Sequence, residues 1–404
     1  MRTRLLVATT LVCATRAMAD AGDCLAQSDL LRVARVLDPE GRVVFARVVE
    51  QRDGHVIRAE TLADADTPLA DVFESVPPSP GSAFPVSDDD VCAVVDLPEA
   101  ALDAESHVIV STGLNYAAHA EEAGGGDVFL FPKPAAPTRP YARVHAPAGV
   151  TLLDYEVELA FVLLADVDPL DPPSREALLA KAAFFLSNDV SDREAIVRNA
   201  SFSGTSTGFA EGKSQPGFFP AGPWMVRGTE LFAAARSCGA EGLGLRLYVN
   251  DETEPRQDAS TTQMILQPDE LVAGIGTWIL EHGRRSSMHF SRNDGEPRFY
   301  PLAVGEEAPM LTAGSIVQTG TPEGVALNAP SPLGVTLRGL LHLRGPFSQF
   351  LAEEKARVAE GGTRYLVPGN VVRARIDGLG TQVFEIGEAG GRAGPDPCAA
   401  GGGE

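Results

Sequence analysis

The chain has 404 residues, of which 44% are hydrophobic and 22% charged, and its formal net charge at pH 7 is −22. This length allows about two domains and excludes a mini-protein held together only by cross-links. The strongly negative charge argues against partners such as nucleic acid or an anionic membrane surface.

The first 19 residues have the pattern of an export signal. Arg2 and Arg4 precede an apolar run that is too short to span a bilayer, and residues 17–19 have the small-x-small pattern of a cleavage site. The alternative is a buried helix at the start of the chain. We expect residues 1–19 to be removed and the mature protein to be periplasmic or secreted. No later run reaches about 18 apolar residues, so no membrane insertion is expected.

Four cysteines remain after this segment: Cys24, Cys92, Cys238 and Cys398. An exported protein meets an oxidising compartment, which favours disulfides, and four cysteines allow three pairings. Their wide spacing contains no C-x-x-C motif, which argues against a zinc site or a redox pair. We expect one or two structural disulfides and leave their pairing open, with free buried thiols as the alternative.

The predicted elements begin with a small β-rich domain over residues 20–104. Residues 33–37 and 42–49 are strand-like runs joined by a turn at residues 38–41. Further along, short strands alternate with Gly and Pro turns, and few helices are indicated.

Two helices are predicted after this domain. One covers residues 175–181 with Ser174 as its N-cap, and the other covers residues 192–199. The last residues, 389–404, are rich in Gly, Pro and Ala, which predicts a flexible tail.

Residues 154–163 alternate between two faces, which predicts a strand. Glu156 and Glu158 lie on one face, about 6.6–7 Å apart along the strand. Two carboxylates so placed repel each other unless something positive lies between them, and a divalent cation with oxygen ligands would satisfy both. The alternative is a solvent-facing strand with two solubilising glutamates.

A third carboxylate follows the apolar run at residues 182–186, which reads as a buried strand. This residue, Asp189, stands where that strand ends, and an ionised group there needs a partner or a metal ion. The alternative is that Asp189 caps the helix that contains Arg193.

Three further segments could carry chemistry. His119 and Glu122 face each other on one helical turn, so the carboxylate could orient the imidazole as a general base; the alternative is a surface pair. Lys213 lies between Gly-rich and aromatic segments and could face an anionic substrate or an oxyanion; the alternative is an exposed loop lysine. The turn at residues 319–325 presents backbone N–H groups and the Thr321 hydroxyl to an anion.

Taken together, these segments resemble the fumarylacetoacetate hydrolase family over roughly two thirds of the chain. The matching segments are residues 113–122, 131–134, 154–159, 188–193, 212–214, 222–224, 249–250, 262–264, 319–325 and 368–380. The resemblance implies an α+β, β-rich fold: a mixed β-roll or sandwich catalytic domain over residues 105–388, preceded by a small N-terminal β domain and commonly dimeric.

The resemblance also implies a role for each candidate residue. It implies Mg²⁺ (or Mn²⁺ or Ca²⁺) on Glu156, Glu158 and Asp189. It implies a water-activating dyad of His119 and Glu122, with Lys213 stabilising an enolate or carboxylate oxygen. The implied substrate-binding residues are Arg193, Thr321 and, with less support, Lys133.

The implied activity is divalent-metal-dependent hydrolysis of a C–C bond in a 2,4-dioxo acid, such as an acylpyruvate or a fumarylacetoacetate-like compound, through a metal-bound enolate. A 2-oxo-acid decarboxylase or an enol–keto isomerase on the same site is one alternative. A non-catalytic exported binding protein is another, but His119 and Glu122 argue against it because a binder needs no water-activating dyad.

The sequence departs from the family pattern in three ways. Ile196 stands where the family often has glutamine, which puts one substrate hydrogen bond in doubt and suggests a different substrate. Two insertions, near residues 282–309 and 326–367, are predicted to be surface elaborations or lid parts. Family members are mostly intracellular, whereas this chain has the pattern of an export signal and is expected to be exported.

Overall fold

A computed structural model describes residues 21–78, 81–97, 108–198, 208–282, 289–291, 297–299, 310–327, 346–361, 363–392, 394 and 396–399. Its strands, β1 to β19, are Val33–Leu37, Val43–Arg52, His55–Asp64, Phe84–Pro85, Ile109–Gly113, Phe129–Pro132, Arg143–His145, Leu153–Asp154, Val157–Leu163, Ala182–Asn188, Ser191–Asp192, Ala221–Arg227, Gly244–Val249, Gln257–Ser260, His289–Ser291, Pro297–Phe299, Ile316–Gln318, Val371–Ile376 and Gly380–Gly387. Its helices, α1 to α9, are Leu69–Val72, Ala117–Glu122, Pro172–Glu176, Leu178–Lys181, Arg193–Arg198, Gly208–Lys213, Gly228–Ser237, Pro268–His282 and Pro346–Ala359. Residues 21–27 are also helical.

A ten-stranded sheet forms the centre of the fold, in the order β4-β3-β2-β1-β12-β10-β9-β17-β5-β6. Neighbouring strands are antiparallel except β17 and β5, which are parallel. The N-terminal strands belong to this sheet, because β1 pairs with β12 at Val33 and Met225. The domain boundary predicted at residue 104 falls in residues 98–107, outside the described residues, and stays a prediction.

A second sheet, in the order β14-β13-β18-β19-β7, packs against the first. Apolar side chains from both sheets fill the space between them, and the indole Nε1 of Trp224 on β12 donates to the Gly378 carbonyl at 3.0 Å. A second apolar cluster covers the other face of the large sheet. Both faces of β9 and β10 are therefore buried, which explains their nearly continuous apolar sequence. The predicted α+β, β-rich fold class is confirmed.

The predicted strands at the N-terminus and at residues 154–163 and 182–186 are confirmed as β1, β2, β9 and β10. The helix predicted at residues 175–181 is wrong in its start: two short helices, α3 and α4, occupy residues 172–181. Asp171, not Ser174, is the N-cap, and its carboxylate accepts from the Ser174 N–H at 3.2 Å. The reason is that two prolines at residues 172 and 173 suit the first helical turn, so the helix begins earlier than predicted.

The two predicted insertions are only partly described. Within the first, residues 289–291 and 297–299 form the hairpin β15–β16. Within the second, α9 packs against α5, and Lys355 forms an ion pair with Glu194.

Two disulfides join distant parts of the chain. Cys24 pairs with Cys238 and links the helical residues 21–27 to the end of α7, while Cys92 pairs with Cys398 near the C-terminus. The expectation of one or two disulfides is confirmed. Across the described residues, every helix is too short or too polar to cross a membrane.

Candidate functional site

Three buried carboxylates meet where β9 and β10 lie side by side. Glu156 immediately precedes β9, Glu158 lies within it, and Asp189 follows β10 and donates its N–H to the Glu156 carbonyl at 2.9 Å. Their side chains offer oxygen atoms that lie within 4.8 Å of one another. The exposed fractions are 3%, 1% and 0%, so the alternative of two solvent-facing glutamates is excluded.

Three buried cations surround these carboxylates. Lys213, at the end of α6, forms ion pairs with Asp189 (2.7 Å) and with Glu156. Arg193, the first residue of α5, contacts Glu156 and donates from Nε to Asp154 Oδ2 at 2.8 Å.

The third cation, Lys133, directly follows β6 and is completely buried. Its ammonium contacts Asp189 and donates to the carbonyl oxygens of Lys213 and Phe218, the latter at 3.1 Å. Because its described bonds all go to protein groups, Lys133 holds Asp189 and the end of α6 in place in this structure. Its predicted role in substrate binding stays a prediction.

Of the three carboxylates, Glu158 has the fewest described neighbours that stabilise its negative charge. Its side chain accepts one described hydrogen bond, from the Gly320 N–H at 3.0 Å. Burial, reinforced by the charges of Asp189 and Glu156, raises the pKa of Glu158 well above its ordinary value. Burial also opposes ionisation of Glu156, but Lys213 and Arg193 outweigh it and lower the pKa of Glu156.

The pKa values of the two lysines reflect the same competition between burial and neighbouring charges. Burial alone would lower the pKa of Lys213, but Asp189 and Glu156 raise it above its ordinary value. For Lys133 the effect of burial is the larger one, and its pKa is lowered despite the contact with Asp189. The cluster therefore has surplus carboxylate charge that a divalent cation with oxygen ligands would balance.

The predicted dyad lies on α2. His119 Nδ1 is 3.2 Å from Glu122 Oε2, and His119 is 8% exposed, so the alternative of a surface pair is excluded. The Glu122 carboxylate also accepts the Gly324 N–H, at 3.1 Å for the shorter contact. The turn that contains Gly324 also donates to Glu158, through the Gly320 N–H at 3.0 Å. The dyad therefore lies beside the carboxylate cluster, with the turn at residues 319–325 contacting both.

The turn at residues 319–325 connects the two halves of the site. As predicted, its backbone N–H groups meet anions, but these anions are the protein's own carboxylates: Gly320 donates to Glu158 and Gly324 to Glu122. Gly324 has a φ of +99°, and a Cβ there would lie 1.9 Å from a backbone oxygen, so no other residue fits.

The hydroxyl of Thr321 in this turn makes hydrogen bonds to two protein groups. It donates to the Val157 carbonyl at 3.0 Å and accepts from Gln257 Nε2 at 2.8 Å. Its role as a substrate ligand stays a prediction. All nine predicted site residues thus belong to one connected cluster around the Glu156–Glu158–Asp189 centre.

Two details of the sequence interpretation are decided by the structure. Asp189 does not cap α5; Asp192 does, because its Oδ1 accepts the N–H groups of Glu194 (2.8 Å) and Ala195 (3.2 Å). Ile196 lies on α5 against α6, where its side chain would be 2.7 Å from a Cβ placed on Gly212. Ile196 therefore packs two site helices together.

Two more residues support the site, Asp154 and Gln257, and neither is among the candidates that the sequence predicts. Asp154 is fully buried and accepts from Arg193 and from the N–H groups of Ala326 (2.8 Å) and Leu327 (3.1 Å). Its place just before the two glutamates was the available signal. Gln257 accepts the Val157 N–H and supports Thr321, and nothing in its sequence context indicated this.

Comparisons with known proteins agree with this geometry. Residues 108–386 match the family described as fumarylacetoacetate (FAA) hydrolase C-terminal. A Burkholderia cenocepacia protein with the name "putative hydrolase" is 26% identical over 286 residues, which cover 68% of this chain and 72% of the relative. A similarly named protein of Burkholderia multivorans is 25% identical over 286 residues, which also cover 68% of this chain and 72% of the relative.

Two solved structures share the fold. A 2-hydroxyhepta-2,4-diene-1,7-dioate isomerase from Mycobacterium marinum has a TM-score of 0.54 at 20% identity, covering 89% of this chain and 100% of its own. A fumarylacetoacetate hydrolase from Exiguobacterium antarcticum has a TM-score of 0.53 at 20% identity, covering 88% of this chain and 99% of its own. On the family match over most of its length, the chain belongs to the fumarylacetoacetate hydrolase family.

Proposed function

We propose that this protein is a divalent-metal-dependent hydrolase that cleaves a C–C bond in a 2,4-dioxo acid. The observation that carries the proposal is the buried Glu156–Glu158–Asp189 group with the His119–Glu122 pair beside it, both contacting the turn at residues 319–325. Family membership supports an enzyme of the hydrolase and isomerase type.

The three carboxylates suit Mg²⁺, or Mn²⁺ or Ca²⁺, because these ions prefer oxygen ligands and the cluster has surplus negative charge. When bound, such a cation would supply Lewis-acid polarisation of the substrate's oxo group. The candidate ligands are held in place before any cation arrives: Glu156 by Arg193, and Asp189 by Lys133.

The dyad supplies the nucleophile in this proposal. With Nδ1–H donated to Glu122, the other nitrogen of His119 can accept a proton from water. The water oxygen then bonds to the distal carbonyl carbon, and the C–C bond breaks with its electrons passing to the pyruvate enolate. Protonated His119 returns the proton to the enolate carbon, which gives pyruvate and a carboxylic acid. Because its pKa is raised, Lys213 stays charged and stabilises the negative oxygen of the enolate.

The test is turnover of acetylpyruvate by the purified mature protein with EDTA, with Mg²⁺ and with Mn²⁺. We expect metal-dependent loss of the dioxo-acid ultraviolet absorbance and release of acetate and pyruvate in equal amounts. A protein that binds Mg²⁺ but releases neither product would contradict the proposal.

A second candidate is a 2-oxo-acid decarboxylase or an enol–keto isomerase. Both reactions pass through the same enolate as hydrolysis, and the apolar Ile196, packed against α6, offers no hydrogen bond that would select one substrate. Release of CO₂ from oxaloacetate, or enol–keto conversion without cleavage, would identify this activity in the same preparation.

Export and assembly belong to the same proposal. We propose that the mature chain begins at Asp20, lies outside the cytoplasm and forms a homodimer. The mass of the secreted protein and its size in solution by light scattering test these points.

A further inference from the structure

Tyr116 lies beside the dyad and has no part in the chemistry described so far. It immediately precedes α2 and serves as the helix N-cap residue. Its backbone is extended (φ −120°, ψ 128°), and it stands three residues before His119. A backbone bridge between Tyr116 and Met264 fixes the entry to α2, and the Tyr116 side chain is 1% exposed.

Tyr116 and the dyad lie against the turn that holds Glu158. Asn115, the residue before Tyr116, donates from Nδ2 to the Thr319 carbonyl at 2.8 Å, and Gly320 donates to Glu158 at 3.0 Å. At the other end of α2, Glu122 accepts from Gly324 of the same turn. The segment that contains Tyr116 therefore lies beside the carboxylate centre.

The Tyr116 hydroxyl is buried without a hydrogen-bond partner among the described residues. Burial, reinforced by Glu158 and Glu323, raises the pKa of Tyr116 above its usual range, so the hydroxyl keeps its proton and is available as a donor. By contrast, the hydroxyl groups of Tyr141 and Tyr155 donate to backbone carbonyls at 3.0 and 3.1 Å. A buried donor that lacks a partner is costly, so its presence needs a reason.

We propose that the Tyr116 hydroxyl donates a hydrogen bond to an oxygen atom of a 2-oxo acid held at the Glu156–Glu158–Asp189 centre, and is thereby a specificity-determining residue. This inference rests on the proposed function for the class of ligand. A site with a buried donor disfavours ligands that have no acceptor opposite it, because the donor then stays unpaired.

The experiment compares Tyr116→Phe with Tyr141→Phe as a matched control. Oxalate, which presents adjacent oxygens as a 2-oxo acid does, is titrated into each protein with Mg²⁺ by calorimetry. Melting temperature is measured in EDTA, and acetylpyruvate turnover in Mg²⁺. Tyr141 stacks on the ring of His55 on β3, with the ring centroids 5.1 Å apart.

For Tyr116→Phe we expect oxalate affinity to fall by about 10-fold and kcat/KM by about 10–100-fold, with an unchanged or higher melting temperature. For Tyr141→Phe we expect the reverse: a melting temperature lower by about 1–2 °C, because a hydrogen bond is lost, and unchanged oxalate affinity.

Oxalate affinity and turnover within twofold of wild type in Tyr116→Phe would overturn the inference. So would a fall in melting temperature equal to that of Tyr141→Phe, because the hydroxyl would then have a structural partner. Failure of the wild-type protein to bind oxalate would overturn it as well. Oxalate binding that depends on Tyr116, without cleavage of acetylpyruvate, would contradict the proposed hydrolysis and support this inference.

Discussion

The buried ionic cluster holds one more carboxylate than it has described cations. Its acids are Asp154, Glu156, Glu158 and Asp189, and its bases are Lys133, Lys213 and Arg193. An uncompensated charge in a low-dielectric interior is costly, whereas a paired one is tolerated. Because the other three acids each contact a cation, the cost falls on Glu158, and binding of a divalent ion would relieve it.

Replacing Glu158 by glutamine tests this account. The amide oxygen can still accept from Gly320, so the fold is retained while one buried negative charge is removed. We expect an unchanged or higher melting temperature in EDTA, and a loss of Mg²⁺ affinity greater than the roughly 10–100-fold that loss of an outer partner costs. Calorimetric titration with Mg²⁺ measures the affinity; a value equal to that of wild type would exclude Glu158 as a ligand.

Replacing Glu122 by glutamine separates catalysis from metal binding. Glutamine can still accept from Gly324 but no longer stabilises a charged His119. We expect kcat to fall by about 10²–10⁴-fold with unchanged Mg²⁺ affinity. Glu121→Gln is the matched control, because Glu121 is the exposed neighbour on α2 and should turn over normally. Normal turnover in Glu122→Gln would sink the dyad assignment.

Helices α5 and α6 are the elements that deliver Arg193 and Lys213, and they touch at Gly212. A Cβ on Gly212 would lie 2.6 Å from the backbone oxygen of Asp192 and 2.7 Å from the Ile196 side chain. The close contact allows Lys213, the next residue, to reach Glu156 and Asp189. The position of the lysine therefore depends on the absence of a side chain one residue earlier.

Gly212→Ala is expected to destabilise the protein by about 1–3 kcal/mol through overpacking, and to lower turnover because α6 must move away. The control is Gly274→Ala in α8, where a Cβ meets no atom within 4 Å and alanine should stabilise the helix by about 0.5–1 kcal/mol. Denaturant unfolding measures both changes. Equal stability of the two variants would refute the tight contact.

Asp192, the N-cap of α5, should make stability depend on pH. Burial raises its pKa from 3.8 to about 6, although the N–H groups of Ala195 and Glu194 favour the charged form. A raised carboxyl pKa means that the native state holds its proton more tightly than the unfolded state. This contribution is therefore full below pH 3.8 and is lost as pH rises through 6.

Asp192→Asn removes this titration and keeps a capping oxygen. We expect the variant to gain about 1–2 kcal/mol relative to wild type between pH 4.5 and pH 7.5, as measured by denaturant unfolding at both pH values. A stability difference that does not change with pH would show that Asp192 has an ordinary pKa.

The elements near the site were predictable where local pattern decides structure. Alternation of the side chains between two faces predicted β9, and a continuous apolar run predicted β10. These two strands gave the positions of Glu156, Glu158 and Asp189. The start of α3 was missed because its two prolines and Asp171 outweigh Ser174 as a start signal. The support of Thr321 by Gln257 was beyond prediction, since the two residues are 64 positions apart and meet only through the fold.

At the scale of the whole molecule, one ten-stranded sheet joins the N-terminal strands to the strands that carry the site. The N-terminal strands extend the large sheet beyond β12. The sequence indicated these strands, but their pairing with β12 depends on long-range packing. The disulfide pairing was equally undetermined, because four cysteines allow three pairings and only the fold brings Cys24 to Cys238 and Cys92 to Cys398.

These disulfides should contribute to global stability, although each one holds a residue near an end of the described chain. Cys92 and Cys398 are 306 residues apart, so their bond strongly restricts the unfolded chain. We expect the double variant Cys92→Ser and Cys398→Ser to lose about 2–5 kcal/mol in denaturant unfolding. Reductant should then lower its stability further through the Cys24–Cys238 bond. An unchanged midpoint in the double variant would mean that the unfolded chain is already compact around residues 92 and 398, so that cross-linking them removes little conformational freedom.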